Sequence, residues 1–281
     1  MTSGRSMDDG ESDFDWSWSD EDPTWMPPDI DITKPSPARM YDYALGGKDN
    51  FEIDRKAVEQ VATVLPDFRH LAQVNRLFLQ NAVQIMAEAG ITQFVDIGTG
   101  IPTSPNVHEM ARGVHPHAKV VYVDNDPIVM AHNRALRAKV DGVITVQHDA
   151  RDPDSIIRDP AVRQLIDFDQ PVGLLFIAVL HFVRRDLAAD VLMRFRQSVS
   201  SGSYIAISTA CADGMDPAVV TKVEGVYQNA AAQIVFRTGA QIEQLFEGLE
   251  LIEPGLTDVT KWRIDEPTPE IHVTAGVGRK P

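Results

Sequence analysis

The chain has 281 residues with a formal net charge of −15 and 43% hydrophobic residues, enough for one large α/β domain with additions or for two small ones. Ten acids against the single base Arg5 crowd residues 1–31, and the remainder is still acidic, with 31 acids and 25 bases. This balance gives no electrostatic help to nucleic-acid binding. The one cysteine, Cys211, excludes a disulfide framework and points to a reducing compartment. The longest apolar run, Val172 to Val183, is too short to span a bilayer, and the N-terminus has no basic-then-apolar signal pattern. The expectation is a soluble cytoplasmic protein.

Residues 1–34 are rich in Asp, Ser and Pro, with Trp16, Trp18 and Trp25 set among the acids. A segment so polar is expected to stay a solvated tail. From Pro35 to Gly90 the pattern is helical. Ser36-Pro37 starts a short helix that stops at Gly46-Gly47, and amphipathic helices follow over Ile53–Leu65 and Phe68–Ala89. Between them, Tyr41, Tyr43, Gly46, Gly47 and Asn50 read either as a lid laying a tyrosine on a ligand or as two helices packed through tyrosines. Arg76 reads as a surface cation or as a grip for a ligand carboxylate.

Phe94-Val95-Asp96-Ile97-Gly98-Thr99-Gly100 is a buried strand running into an acid and two alternating glycines. The glycines allow a turn where a Cβ would clash. The third glycine of a dinucleotide fingerprint is missing, since Thr103 stands there. Asp96 beside the loop would repel a diphosphate but suits a cationic ligand such as a sulfonium, which points to S-adenosylmethionine.

A helix over Asn106–Arg112 leads to a second strand, Lys119–Asp124, again ending in an acid. An acid there is placed to accept two hydrogen bonds from a ribose diol. Asn125 follows, and Asp126-Pro127 reads as the cap of a helix running to about Lys139. A third strand, Val143–Ala150, ends at Asp149, suited to an adenine amino group, with the backbone N–H of Ala150 beside it. The most apolar strand, Pro171–Phe182, ends in Ala178-Val179-Leu180-His181-Phe182. His181 reads as a proton acceptor or as a satisfied core histidine.

Further helices are expected over Leu187–Val199, Pro217–Ala232 and Gly239–Phe246, with a fifth strand over Ser203–Thr209. Two closing strands, Glu250–Trp262 and Ile271–Val277, form a final antiparallel hairpin. The fold class is therefore α/β, with a seven-stranded, mostly parallel sheet.

With Asp96, Gly98, Gly100, Asp124 and Asp149 placed, the chain resembles the Rossmann-like S-adenosylmethionine-dependent methyltransferases. Within them it is similar to an actinobacterial family formerly described as a domain of unknown function. The resemblance rests on the run from Ala38 to Phe51, Asn75-Arg76, Phe94 to Thr103, Asn106 to Glu109 and Ala178 to Phe182. It departs from the broad pattern at Pro102, where a third glycine is common.

The resemblance implies a methyltransferase domain over 91–281, a helical cap over 35–90 and S-adenosylmethionine as cofactor. Tyr43, Gly46, Gly47, Asn50 and Arg76 are the expected cofactor contacts from the cap. Asp96, Gly98, Gly100, Asp124, Asn125, Asp149, Ala150 and Ala178 are those from the strand ends, and His181 is the catalytic candidate. A small-molecule acceptor is expected first and a protein second, with no metal, membrane or nucleic acid. A non-catalytic binder is the alternative, and a nicotinamide dehydrogenase fits worst.

Overall fold

In a computed structural model, residues 31–137, 140–264 and 272–281 are described. The acidic segment 1–30, with its three tryptophans, lies outside them. Three helices open the described chain: α1 Pro37–Ala44, α2 Glu52–Ala62 and α3 Phe68–Glu88. The glycines end elements as read, with Gly46 and Gly90 both in the left-handed region at φ +84° and +96°.

The α/β part then runs β1 Gln93–Ile97, α4 Val107–Val114, β2 Lys119–Asp124, α5 Pro127–Arg137 and β3 Val143–Gln147. It continues through α6 Pro153–Ile157, α7 Pro160–Leu165, β4 Gly173–Ile177, α8 Arg185–Ser198, β5 Tyr204–Ala210, α9 Pro217–Tyr227 and α10 Gly239–Leu245. The short strands β6 Glu250–Leu251 and β7 Thr257–Asp258 precede β8 Val273–Arg279.

The sheet order is β3-β2-β1-β4-β5-β8-β6, with β7 also paired to β8. The first five strands in that order are parallel, and β8 runs antiparallel to β5. The order reverses beside β1 and β4, and ligands of open α/β sheets bind in the crevice beyond the strand C-termini at such a switch point.

Alternation along the strands assigns the faces. Val95, Ile97, Val121 and Val123 share a core with residues of α6, α7, α8 and α10, whereas Phe94, Val120 and Tyr122 share one with α3 and α4. Helix α3 earns its place by apolar residues at helical spacing: Val74, Phe78, Ala82 and Met86 are all essentially buried. Helices α1 and α2 form a third cluster, in which Met40, Val58 and Val61 meet Ala210, Val223, Tyr227 and Phe236 beyond the end of β5.

Several elements differ from the sequence reading, among them the third strand, which stops at Gln147 and not Ala150, and the helix expected to Ala232, which stops at Tyr227. The strand expected over Pro171–Phe182 stops at Ile177, because Ala178 takes φ +55° and the next residues close a tight turn. Val259–Lys261 is a 3-10 turn instead of strand, since Asp258 Oδ1 accepts from Thr260 N at 3.0 Å and the chain bends to bury Trp262 edge-on against Phe78. The residues before that turn, Thr257–Asp258, are the eighth strand that a seven-strand count omits. Two short helices, α6 and α7, went unread; each opens on an Asp-Pro pair, with Asp152 and Asp159 as side-chain caps.

A buried ion pair anchors the helical region. Arg39 Nε donates to Asp54 Oδ2 at 2.8 Å, and both side chains are at most 3% exposed. Asp54 also accepts from Ser36 N and Phe51 N, each at 2.9 Å, so one carboxylate ties the start of α1 to the start of α2. Removing one member of such a pair leaves an uncompensated buried charge, at about 3–5 kcal/mol. Asp54→Ala should therefore lower the urea midpoint with an unchanged slope, by an amount equivalent to about 3 kcal/mol. A loss below 1 kcal/mol would show that the pair does not anchor the helices.

Candidate active site

Three acids end three adjacent strands. Asp96 lies in β1, Asp124 closes β2, and Asp149 stands two residues past β3. The register sets Asp96 beside Tyr122, so Asp96 and Asp124 occupy the same sheet face as Phe94 and Tyr122, the face covered by α3.

Asp124 is buried, and its carboxylate fastens the loop. Gly100 N donates to its Oδ2 at 2.9 Å and Asp126 N to its Oδ1 at 3.0 Å. Burial raises its pKa to about 6, against the lowering effect of those backbone donors.

The two glycines of the loop are required for different reasons. Gly98 takes φ +70°, and a Cβ there would lie 2.4 Å from Val179 Cγ2. Gly100 takes φ +66° with open space around it, so only its backbone conformation calls for glycine. Val179 belongs to the turn after β4 that begins at Ala178. That non-glycine residue is held left-handed by a bond from its N–H to Ser208 Oγ at 3.0 Å. Strain of this kind at a strand end costs on the order of 1–3 kcal/mol and gathers at functional sites.

Arg76 is aimed at the same loop. Its Nη2 donates to Thr103 O and to Pro105 O, the latter at 2.7 Å, while its Nε is buried with no partner. Beside it, Asn75 donates from Nδ2 to Tyr41 Oη at 3.0 Å and leaves Oδ1 buried with no partner. One acceptor and one donor are thus both unmet on consecutive residues of α3.

Other expected contacts are spent within the protein. Tyr43 lies under Arg69, with the guanidinium 4.3 Å from the ring centroid, and its Oη donates to Glu59 at 3.3 Å. Tyr41 Oη donates to Ala72 O at 3.0 Å. The tyrosines therefore pack helices, the second of the two readings. Asn50 gives Nδ2 to Asp42 Oδ2 at 2.8 Å and its Oδ1 accepts from Arg55 at 3.1 Å. Gly46 and Gly47 form the turn around Asp42. Asp149 is gripped by Arg151 Nε at 2.9 Å, and its carboxyl sits below its usual range through Arg151 first, with a smaller share from Asn125. That bond brings Asn125 to Asp149; Ala150 adjoins them, half-buried.

His181, expected as a proton acceptor, is corrected by its surroundings. Burial and then the nearby Arg237 cation push its pKa down to about 3. Its Nδ1 faces the Ala210 N–H at 3.4 Å, so the neutral ring carries its proton on Nε2. The ring is buried, with Nδ1 engaged by the Ala210 N–H. Arg237, which the sequence reading passed over, is buried and donates to Leu180 O at 2.8 Å and Val183 O at 2.6 Å, fixing the turn after β4. It stands 57 residues from Leu180, and no local pattern marks it. Val179 and Ser208 were passed over for the same reason.

An open groove of about 840 Å³ also lies between α2 and α9, with Lys34, Lys56 and Lys222 among its lining. No strand-end residue takes part in it, so it is separate from the crevice.

A family model described as S-adenosyl methyltransferase matches residues 23–281. The chain belongs to the S-adenosyl methyltransferase family. S-adenosylmethionine is thus its methyl donor. The methyltransferase is 39% identical to a candidate methyltransferase from Thermobifida fusca YX over 92% of this chain and 99% of that one, with a TM-score of 0.85. It is 40% identical to a DUF574 family protein from Streptomyces avermitilis MA-4680, over 89% and 98%, with a TM-score of 0.83. No curated protein matches it. Both solved structures share its Rossmann-like fold. Among its described residues, no helix is long and apolar enough to cross a membrane and no cluster of metal-ligating side chains occurs.

The close approach of Val179 to Gly98 is open to test. Gly98→Ala meets both the steric contact and the positive φ, and should weaken S-adenosylmethionine binding at least tenfold by calorimetry. Adding Val179→Ala should restore only part of the loss, because the φ strain remains. Full recovery, or no loss at all, would reject this account of the loop.

Proposed function

We infer that the methyltransferase holds its cofactor between the β1–β4 crevice and α3 and passes the methyl group to a small molecule. The carrying observation is the pair of unmet buried atoms, Asn75 Oδ1 and Arg76 Nε. An amino-acid head group is their chemical complement, since an ammonium donates to the first and a carboxylate accepts from the second. Arg76 also grips the loop that starts at Gly98, so head group and loop would be bound by one residue.

In the same reading Asp124 takes the ribose hydroxyls. Asn125, Asp149 and Ala150 line the adenine end, and Asp96, Gly98, Gly100 and Ala178 border the sulfonium. S-adenosylmethionine, when bound, supplies a methyl group already activated by the positive sulfur. The chain's own task is to orient the donor and acceptor and to exclude water. No proton transfer is assigned to His181, whose Nδ1 is turned to Ala210 N–H.

A small acceptor is supported by the cover over the strand ends. Met40, Val58 and Val61 of the N-terminal helices share a hydrophobic cluster with Ala210, at the end of β5, and Tyr227. The net charge of −15 further disfavours nucleic acid. A reducing cytoplasm fits a single, buried, free cysteine.

Asp124 gives this reading a pH signature. Ionised Asp124 accepts from a diol and protonated Asp124 accepts less well, so ligand binding favours the ionised form and lowers the pKa from about 6. S-adenosylmethionine affinity should therefore be level above pH 7 and fall as pH drops from about 6 toward 5, by up to tenfold. Calorimetry across that range should show the slope in the native chain and its absence in Asp124→Asn. Asp124→Ala should cost roughly 1–3 kcal/mol of binding at pH 7.5 through the lost hydrogen bonds. Unaltered affinity in that variant would remove Asp124 from the site.

A further inference from the structure

Ser36 occupies the cap position of α1, yet its hydroxyl makes no bond to that helix. A capping serine ordinarily accepts from the second or third backbone N–H of its own helix. Here the hydroxyl instead donates to Asp126 Oδ2 at 2.6 Å, across 90 positions of sequence. Asp126 is a shared cap, because its Oδ1 accepts from Ile128 N of α5 at 2.8 Å. Its own N–H is one of the backbone donors that set Asp124.

The bonds form an unbroken series. It runs from Gly100 N to Asp124, on to Asp126 and Ser36, and then through Ser36 N to Asp54 at the start of α2. Ser36 and Asp54 are buried, so water does not readily replace these bonds. A weaker second tie joins the same two regions, with His132 Nδ1 of α5 3.8 Å from Asp49 Oδ2 in the turn before α2. Helices α1 and α2 are also held to the body by apolar packing, by Tyr41 Oη on Ala72 O and by Ala231 N on Pro35 O. Among these contacts it is the polar series that reaches the loop after β2.

We propose that the Ser36–Asp126 hydrogen bond is a latch that couples the N-terminal helices to Asp124, making Ser36 and Asp126 positioning residues for the cofactor site. The coupling rests on the ribose reading of Asp124. A ligand that loads the Asp124 carboxylate fixes the Asp126 N–H, and through Ser36 it fixes the start of α1. Displacing the helices to release the ligand then requires breaking the latch.

The test compares the native chain with Ser36→Ala, Ser36→Thr and Asp124→Asn, using S-adenosylhomocysteine as the probe. Dissociation is followed by stopped-flow competition and backbone protection by hydrogen exchange over residues 37–62. Native protein should gain protection there on binding. Ser36→Ala should lose that gain and release the probe about tenfold faster, on the order of one lost hydrogen bond, while Ser36→Thr, which keeps the hydroxyl, should behave as native. Should Ser36→Ala fail to fold, Ser36→Gly replaces it, since glycine also lacks the hydroxyl and is tolerated at a helix cap. Native rates and native protection in the variant that lacks the bond would overturn the latch. Unaltered affinity in Asp124→Asn would instead remove the ribose reading, and the link between helices and loop would then be judged on the Ser36→Ala exchange pattern alone.

Discussion

The carboxylate of Asp124 sets the arrangement of everything around the crevice. It sits at the end of a strand buried on both faces, and its two oxygens hold the Gly100 N–H and the Asp126 N–H. Those bonds give the glycine loop its course on one side and the start of α5 its course on the other. Burial raises its pKa to about 6 even so, against the lowering effect of its backbone donors. One buried carboxylate thus sets the course of both the loop and the helix that follows it.

The turn after β4 closes the opposite side of the crevice by a different means. Ala178 is forced left-handed, Val179 rests on Gly98, and Arg237 collects the Leu180 and Val183 carbonyls from behind. A buried guanidinium whose bonds go to carbonyls keeps its charge, although burial pulls its pKa down to about 10. The same charge helps hold His181 neutral. The turn is thus rigid because of groups that do not themselves reach the crevice.

What could be read from the sequence divides along a physical line. Strand β2 was legible to the residue, because a continuous apolar run and a terminal acid are local signals. The end of β4 was not, since it depends on Ser208 Oγ and Arg237, both far along the chain. Asp124 and the two loop glycines were legible as a strand end and the turn beside it, for the pattern is written in adjacent residues. The quieting of His181 was not, because it comes from burial and a cation supplied by a different loop. Asp126 shows the middle case. Capping was read correctly from Asp-Pro, but its second oxygen answers to a serine 90 positions away.

The run from Ala38 to Phe51, the most distinctive stretch of the chain, shows how a family signature can be architectural. Asp42 gathers it inward: its Oδ2 accepts from Asp49 N at 2.9 Å and from Asn50 Nδ2 at 2.8 Å, and its backbone carbonyl from Gly47 N at 2.8 Å. A Cβ on Gly47 would stand 2.0 Å from Asp42 Oδ1, so glycine is imposed there by contact. Tyr41 and Tyr43 turn to α3 and α2, and Asn50 is braced by Arg55. The tyrosines and Asn50, which made the run look like a ligand site, are engaged with other groups of the protein, and Asp49 faces His132 of α5. The helices so shaped bring Ser36 within reach of Asp126 and Met40 onto Ala210. The run therefore shapes the two helices that share a cluster with Ala210, Val223 and Tyr227, while the partnerless Asn75 Oδ1 and Arg76 Nε lie in α3.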